Sequence, residues 1–324
     1  MRTWMLAFVS ATTKIAETKQ GRSTVKLAAP VAIGAILLTL LTGATNPPAD
    51  IVVTGTRRDP AVIRDAVHTF VRAVAAAPID DQLARWHAPV CVRVHGLDPV
   101  LAARLTARVT AVAQDAGAPV ADTPCRANIV IVFSLDARTL LAVMEGKKPR
   151  LLVDATAAER IRLRSAAAPV RWWYAAIGEG ADGRPLLPES SALLGANLPV
   201  GDDTRFLDTT HTSLIGTNFR SSLVSAVVLV DAPLATGFKL DAFADYAAFV
   251  ALAHVRPLAA AGTAPSIMTL FAGGESAPDR MTAWDCAYLA ALYRTPPDRV
   301  AAEQNSRIMA AMTVALTRSA PNAP

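Results

Sequence analysis

From Pro60 to Ala77 the apolar residues Val62, Ile63, Val67, Phe70, Val71 and Val74 recur mostly three or four positions apart, the spacing of one helix face. Asp59 precedes them as a helix N-cap, and Pro60 takes the first helical position, where a missing N–H costs nothing. The period then changes. Val90 to Val94 predicts a short strand, Asp98 to about Gln114 a helix, and Asn128 to Phe133 a second strand; a further helix opens at Asp136. Helices and strands in alternation predict an α+β fold, a mixed sheet flanked by helices.

The stretch from 150 to 220 is less regular. Val170-Arg171-Trp172-Trp173-Tyr174 predicts a strand whose aromatics pack in the core or on an edge, followed by a Gly-Glu-Gly-Ala-Asp-Gly loop. Residues 178–222, rich in Gly, Asp, Ser and Thr, predict a long hairpin or an excursion of the kind that carries active sites. Ser225 to Val230 then gives a buried strand and Asp241 to Val255 an apolar helix. After a loop through Gly262 to Gly274 come a helix from Thr282 to Tyr293 and another beyond Pro297.

Charge changes the picture at one point only. The net charge of +5 is concentrated in residues 1–45, where Arg2, Lys14, Lys19, Arg22 and Lys26 face Glu17 alone; the rest nets +1. Nucleic acid is therefore not an expected partner. Leu27 to Thr45 carries no charge and follows basic residues, as a secretory signal does, with small residues for cleavage at Thr42-Gly43-Ala44. The same run is just long enough to span a bilayer if it stays uncleaved, which would be the chain's only membrane contact. The expected organisation is an N-terminal extension and signal peptide (1–45), a linker (46–58), one α+β domain (59–318) and a disordered tail (319–324), in the periplasm or cell envelope. Of the three cysteines, Cys91 and Cys125 flank strand-like segments and are expected to form a disulfide in that oxidising space. Cys286, in an apolar helical pattern, is expected to be a buried free thiol.

No nucleophile elbow, phosphate-binding loop, dinucleotide loop or HExxH stands in the chain, and the cysteines lack zinc-site spacing. The five histidines, His68, His87, His95, His211 and His254, are scattered; Asp208 and His211 would meet only if their stretch were helical. The informative pattern is C-terminal: a buried strand (SAVVLVDA), the helix FADYAAFVALAHV, a turn with Ser266-Ile267-Met268, and the helix running from Thr282 through Asp285 to Tyr293. This succession resembles the catalytic half of metzincin-type zinc proteases, in which a helix bearing HExxHxxGxxH precedes a methionine turn and a closing helix. The resemblance spans residues 222–294 and implies a zincin-like C-terminal half. On helix phase, Asp245 and Tyr246 stand at the first histidine and the glutamate base, Phe249 at the second histidine, and Val255, beside His254, at the third. Catalytic zinc needs three protein ligands and an open position, and Phe249 and Val255 ligate nothing. The resemblance thus implies a pseudoenzyme in which Met268 and Asp285 survive. The VVTG start, the two cysteines, the Arg-Trp-Trp strand and the Pro-Ser-Ile-Met turn also resemble a family of exported alphaproteobacterial proteins.

These observations lead to an envelope protein without cofactor or metal that binds a peptide or another envelope protein by strand addition near Trp172–Tyr174 or Ser225–Val230. Two alternatives stay open: a hydrolase using Asp208, His211 or Asp245, and a membrane-tethered structural protein.

Overall fold

In a computed structural model of the 324-residue chain, residues 59–75, 82–148, 151–152, 155–165, 167–180, 183, 217, 219–256, 264–272 and 274–319 are described. The leader, the linker and most of the 178–222 excursion, with Asp208 and His211, lie outside them.

Local capping chemistry sets most helix starts. Helix α1 (Pro60–Val74) opens with the Asp59 carboxylate accepting the Ala61 N–H at 2.8 Å. Ile63, Val67, Phe70, Val71 and Val74 are buried, while Val62 turns to solvent. Strand β1 (Val92–His95) leads into α2 (Pro99–Ala116), capped by Asp98 and closed by Gly117 at φ 87°, a left-handed conformation that glycine adopts without strain. Strand β2 (Ile129–Ser134) is followed by α3 (Ala137–Lys147), where Asp136 accepts the Thr139 N–H at 2.9 Å. A short helix α4 (Ala157–Leu163), absent from the sequence expectation, starts on a Thr156/Glu159 capping box. Strands β3 (Val170–Gly180) and β4 (Phe219–Asp231) precede α5 (Leu240–Leu252), a 3₁₀ turn (Ile267–Thr269), α6 (Ala283–Arg294) and α7 (Ala301–Ser319).

The fold is α+β. One mixed sheet has the order β1-β2-β4-β3, with β1, β2 and β4 parallel and β3 antiparallel at one edge. Strand β3 does not give way to a loop after Tyr174 as expected: Gly178, Glu179 and Gly180 pair with Ser221, Arg220 and Phe219. A register shift between Ala175 and Ala176 precedes this glycine-containing part of the ladder. Strand β4 is interior, so Ser225–Val230 is not an edge, and of the two expected edge segments only β3 remains.

Helices α1, α2, α5, α6 and α7 bury the larger core on one face of the sheet. On the other face, α3 and α4 cover a smaller one through Ala137, Leu141 and Leu163 against Trp173 and Leu229. Cys91 and Cys125 form the expected disulfide, Cα atoms 6.0 Å apart, just ahead of the neighbouring strands β1 and β2. Cys286, in contrast to expectation, is exposed. Helix phase explains it: Trp284, Asp285, Tyr288, Leu289 and Leu292 take the inner face of α6, which leaves position 286 outside. Among the described residues no helix is long and apolar enough to cross a membrane.

Candidate functional site

Helix α5 is apolar around most of its circumference, Asp245 excepted, and buried at every residue from Ala242 to Leu252. Such a helix ends without water for its last carbonyls, and no glycine closes it. Aromatic donors from other elements fill that role. Trp86 Nε1 donates to the Ala251 carbonyl at 2.8 Å and Tyr293 Oη to Leu252 at 2.7 Å. Tyr174 Oη lies 2.5 Å from the Val250 carbonyl and 2.9 Å from that of Ala253, and it accepts the Val255 N–H at 3.3 Å. Trp172 Nε1 reaches the Val255 carbonyl at 3.2 Å. Burial pushes the Tyr174 phenol well above its ordinary range, so it stays a neutral donor.

The positions singled out in the sequence come together around this helix. Asp245, wholly buried, takes a bidentate ion pair from Arg108 of α2 (2.5 and 3.1 Å) and the Met281 N–H at 2.7 Å. Its hydrogen bond holds the Arg108 guanidinium protonated above the usual range. Tyr246 stacks edge-on against Trp172 and Phe271, centroids 6.1 and 5.0 Å apart, and burial raises its phenol pKa. Phe249 packs against Tyr288 at 5.8 Å. Val255 is fully buried and bridges Ala75, and His254 stands edge-on to Tyr174 at 5.0 Å. These positions are thus occupied by an ion pair and packed apolar and aromatic side chains. Among the described residues no three of His, Cys, Asp and Glu gather in a metal-holding group.

The turn and closing helix are bound to each other through Asp285. Its buried carboxylate accepts the Ser266 hydroxyl at 2.5 Å and the N–H groups of Ile267 and Thr282 at 2.8 Å each, and Thr282 completes a capping box for α6. Desolvation nevertheless raises the Asp285 pKa against those hydrogen bonds. Met268 is buried in the main core beside this network. Sequence reasoning found Met268 and Asp285 but had no signal for their connection through Ser266.

Two charged groups that the sequence did not single out serve helix ends. The Arg171 guanidinium donates to the carbonyls of Leu163 (2.8 Å), Ser165 and Ala168 (2.7 Å each), closing α4. Arg85 donates to the Leu292 carbonyl near the C-terminus of α6, and burial brings its pKa down to about 10. Near it, His87 is held down to about 4 by burial and by the positive charges of Arg85 and Arg220. Arg220 itself is paired with Glu179 at 3.0 Å.

Among the described residues, a hollow and a strand edge offer binding surface. An open hollow of about 570 Å³ is lined by Arg138, Thr139, Ala142, Val143 and Arg164, but Arg164 is already engaged by Glu145 through two hydrogen bonds. Strand β3 pairs on one side with β4 and with no strand on the other among the described residues. Its first half, Val170–Tyr174, is buried; Ala175–Glu179 is half-buried. The half-buried part of this edge therefore lies beyond Trp172–Tyr174, where the sequence placed it.

No family model, curated protein or solved structure matches the chain.

Proposed function

We propose that this is an exported, non-catalytic envelope domain with a zincin-like C-terminal half, which binds an extended peptide or protein segment along the Ile177–Glu179 edge of β3. The observation that carries it is the terminal position of β3 in the sheet among the described residues, combined with the half-buried state of that stretch. A strand edge offers main-chain donors and acceptors, and an added strand satisfies them in register. The surroundings of α5 support the absence of chemistry: Asp245 is consumed by Arg108, and Phe249 and Val255 provide neither ligand nor base. Export is supported by the Cys91–Cys125 disulfide and by the basic and apolar leader.

The test is selection of binders from a random peptide library displayed on phage, followed by hydrogen exchange of the protein with a selected peptide. Slowed exchange in 177–180, lost in Gly178→Pro with its melting transition retained, is the expected outcome. Binders that protect another surface, or no enrichment at all, would refute strand addition at β3.

A further inference from the structure

The three parallel strands end side by side at His95, Ser134 and Asp231. The chain just beyond those ends carries exposed apolar side chains: Val100 and Leu101 in the first turn of α2, Leu135 directly after β2, and Leu234 and Phe238 between β4 and α5. Leu135 is 80% exposed and Val100 75%. These connections touch one another. The Ala232 N–H donates to the Ser134 carbonyl at 2.8 Å, the Asp231 carboxylate accepts the Ala137 N–H at 3.3 Å, and Gly96 packs directly on the Phe133 carbonyl. Phe238 meets Phe271 at 4.8 Å, but the other four side chains belong to neither core, so folding alone does not account for their collection at one end. Exposed apolar surface gathered in this way marks an interaction site.

The charges around the rim are spent locally. Asp241 pairs with Arg104 at 2.7 Å and with Arg280 at 3.7 Å, and Lys239 pairs with Asp279 at 2.6 Å. Asp98 and Asp136 cap their own helices. No field of one sign is left to attract a nucleic acid or an anionic bilayer. The exposed Asp98, Asp136 and Arg138 leave both signs interspersed, so no one-signed field opposes an identical surface, which must meet itself in a two-fold contact. The five side chains together leave roughly 400 Å² of apolar area exposed, taking about 140 Å² for each whole side chain, four of which are Val or Leu. A stable interface takes about 800 Å² from each partner, a little over half of it apolar, and this rim supplies most of that apolar share.

We propose that the rim at the carboxyl ends of β1, β2 and β4 is an isologous dimer interface, its occupant a second copy of this chain. Sedimentation velocity on the protein as recovered from the envelope tests it across a concentration series. The expected result is a dimer in the micromolar range. Leu135→Asp with Phe238→Asp should weaken it at least tenfold, and Val314→Asp, at an exposed position on α7, should leave it unchanged. Should the double variant fail to fold, Leu135→Ser alone carries the test. A monomer up to about 100 µM would overturn the proposal. So would equal sensitivity to Val314→Asp, or a monomer that co-sediments with neutral phosphatidylcholine vesicles, which would assign the rim to lipid.

Discussion

Replacing Asp285 by alanine removes one side chain and leaves several groups without a partner. The carboxylate is wholly buried and accepts from Ser266 Oγ, the Ile267 N–H and the Thr282 N–H. In Asp285→Ala the Ile267 amide and Ser266 hydroxyl lose their acceptor where water does not reach, at about 1–3 kcal/mol for each group. Loss of the α6 capping box adds about 1 kcal/mol. These terms overlap, because the turn relaxes once Ser266 is released, and the expected loss is about 3–5 kcal/mol. Asp285→Asn keeps one acceptor oxygen but turns an N–H₂ toward the donors, so about half the loss is expected to remain. Urea unfolding followed by tryptophan fluorescence measures both variants. Trp284 lies next to the changed residue, so far-ultraviolet circular dichroism must report the same midpoint. A loss under about 1 kcal/mol in Asp285→Ala would refute the view that this carboxylate joins the Ser266–Met268 turn to α6.

Tyr174→Phe removes the hydroxyl that serves the Val250 and Ala253 carbonyls and the Val255 N–H, and is expected to cost about 2–3 kcal/mol in the same assay. His87 has a folded pKa of about 4, depressed below its ordinary 6.5, so the unfolded chain binds the extra proton between those values. Stability is therefore expected to fall as pH drops from 6.5 toward 4, by about 1–2 kcal/mol after allowance for solvent screening, and His87→Gln should flatten that slope. The Cys91–Cys125 bridge closes a sequence separation of 34, for which loop closure gives about 3–4 kcal/mol; Cys91→Ala with Cys125→Ala should lose that much on denaturation. Thiol titration of the native protein should find Cys286 alone accessible, reacting slowly because partial burial pushes its thiol up.

Much of this architecture is local and therefore legible in the chain. Asp59, Asp98, Asp136 and Thr282 each mark a helix start because a short polar side chain bonds to backbone one turn ahead, and that relation lies within four residues. The strands β1, β2 and β4 were visible as β-branched runs for the same reason. Helix α4 was missed although Thr156 and Glu159 spell its capping box; seven residues are too few for an apolar period to emerge. Extension of β3 through Gly178 and Gly180 depends on β4, some forty residues on, and no propensity of the glycines foretells it. Cys286 was misplaced because α6 has apolar residues on most of its circumference and only packing selects the inner face. At the candidate site, the identities of Asp245, Tyr246, Phe249, Met268 and Asp285 were open to the sequence. Their partners were not: Arg108, Trp172 and Ser266 are brought in by the fold.

The most direct test is the zinc content of the protein purified from the envelope without metal-affinity resin. Phe249 and Val255 provide no ligand and Asp245 is held by Arg108, so the expected result is far below one equivalent, unchanged after dialysis against zinc. Close to one equivalent, removable by a chelator and lost in Asp245→Ala, would contradict a non-catalytic domain and reopen α5 as a metal site.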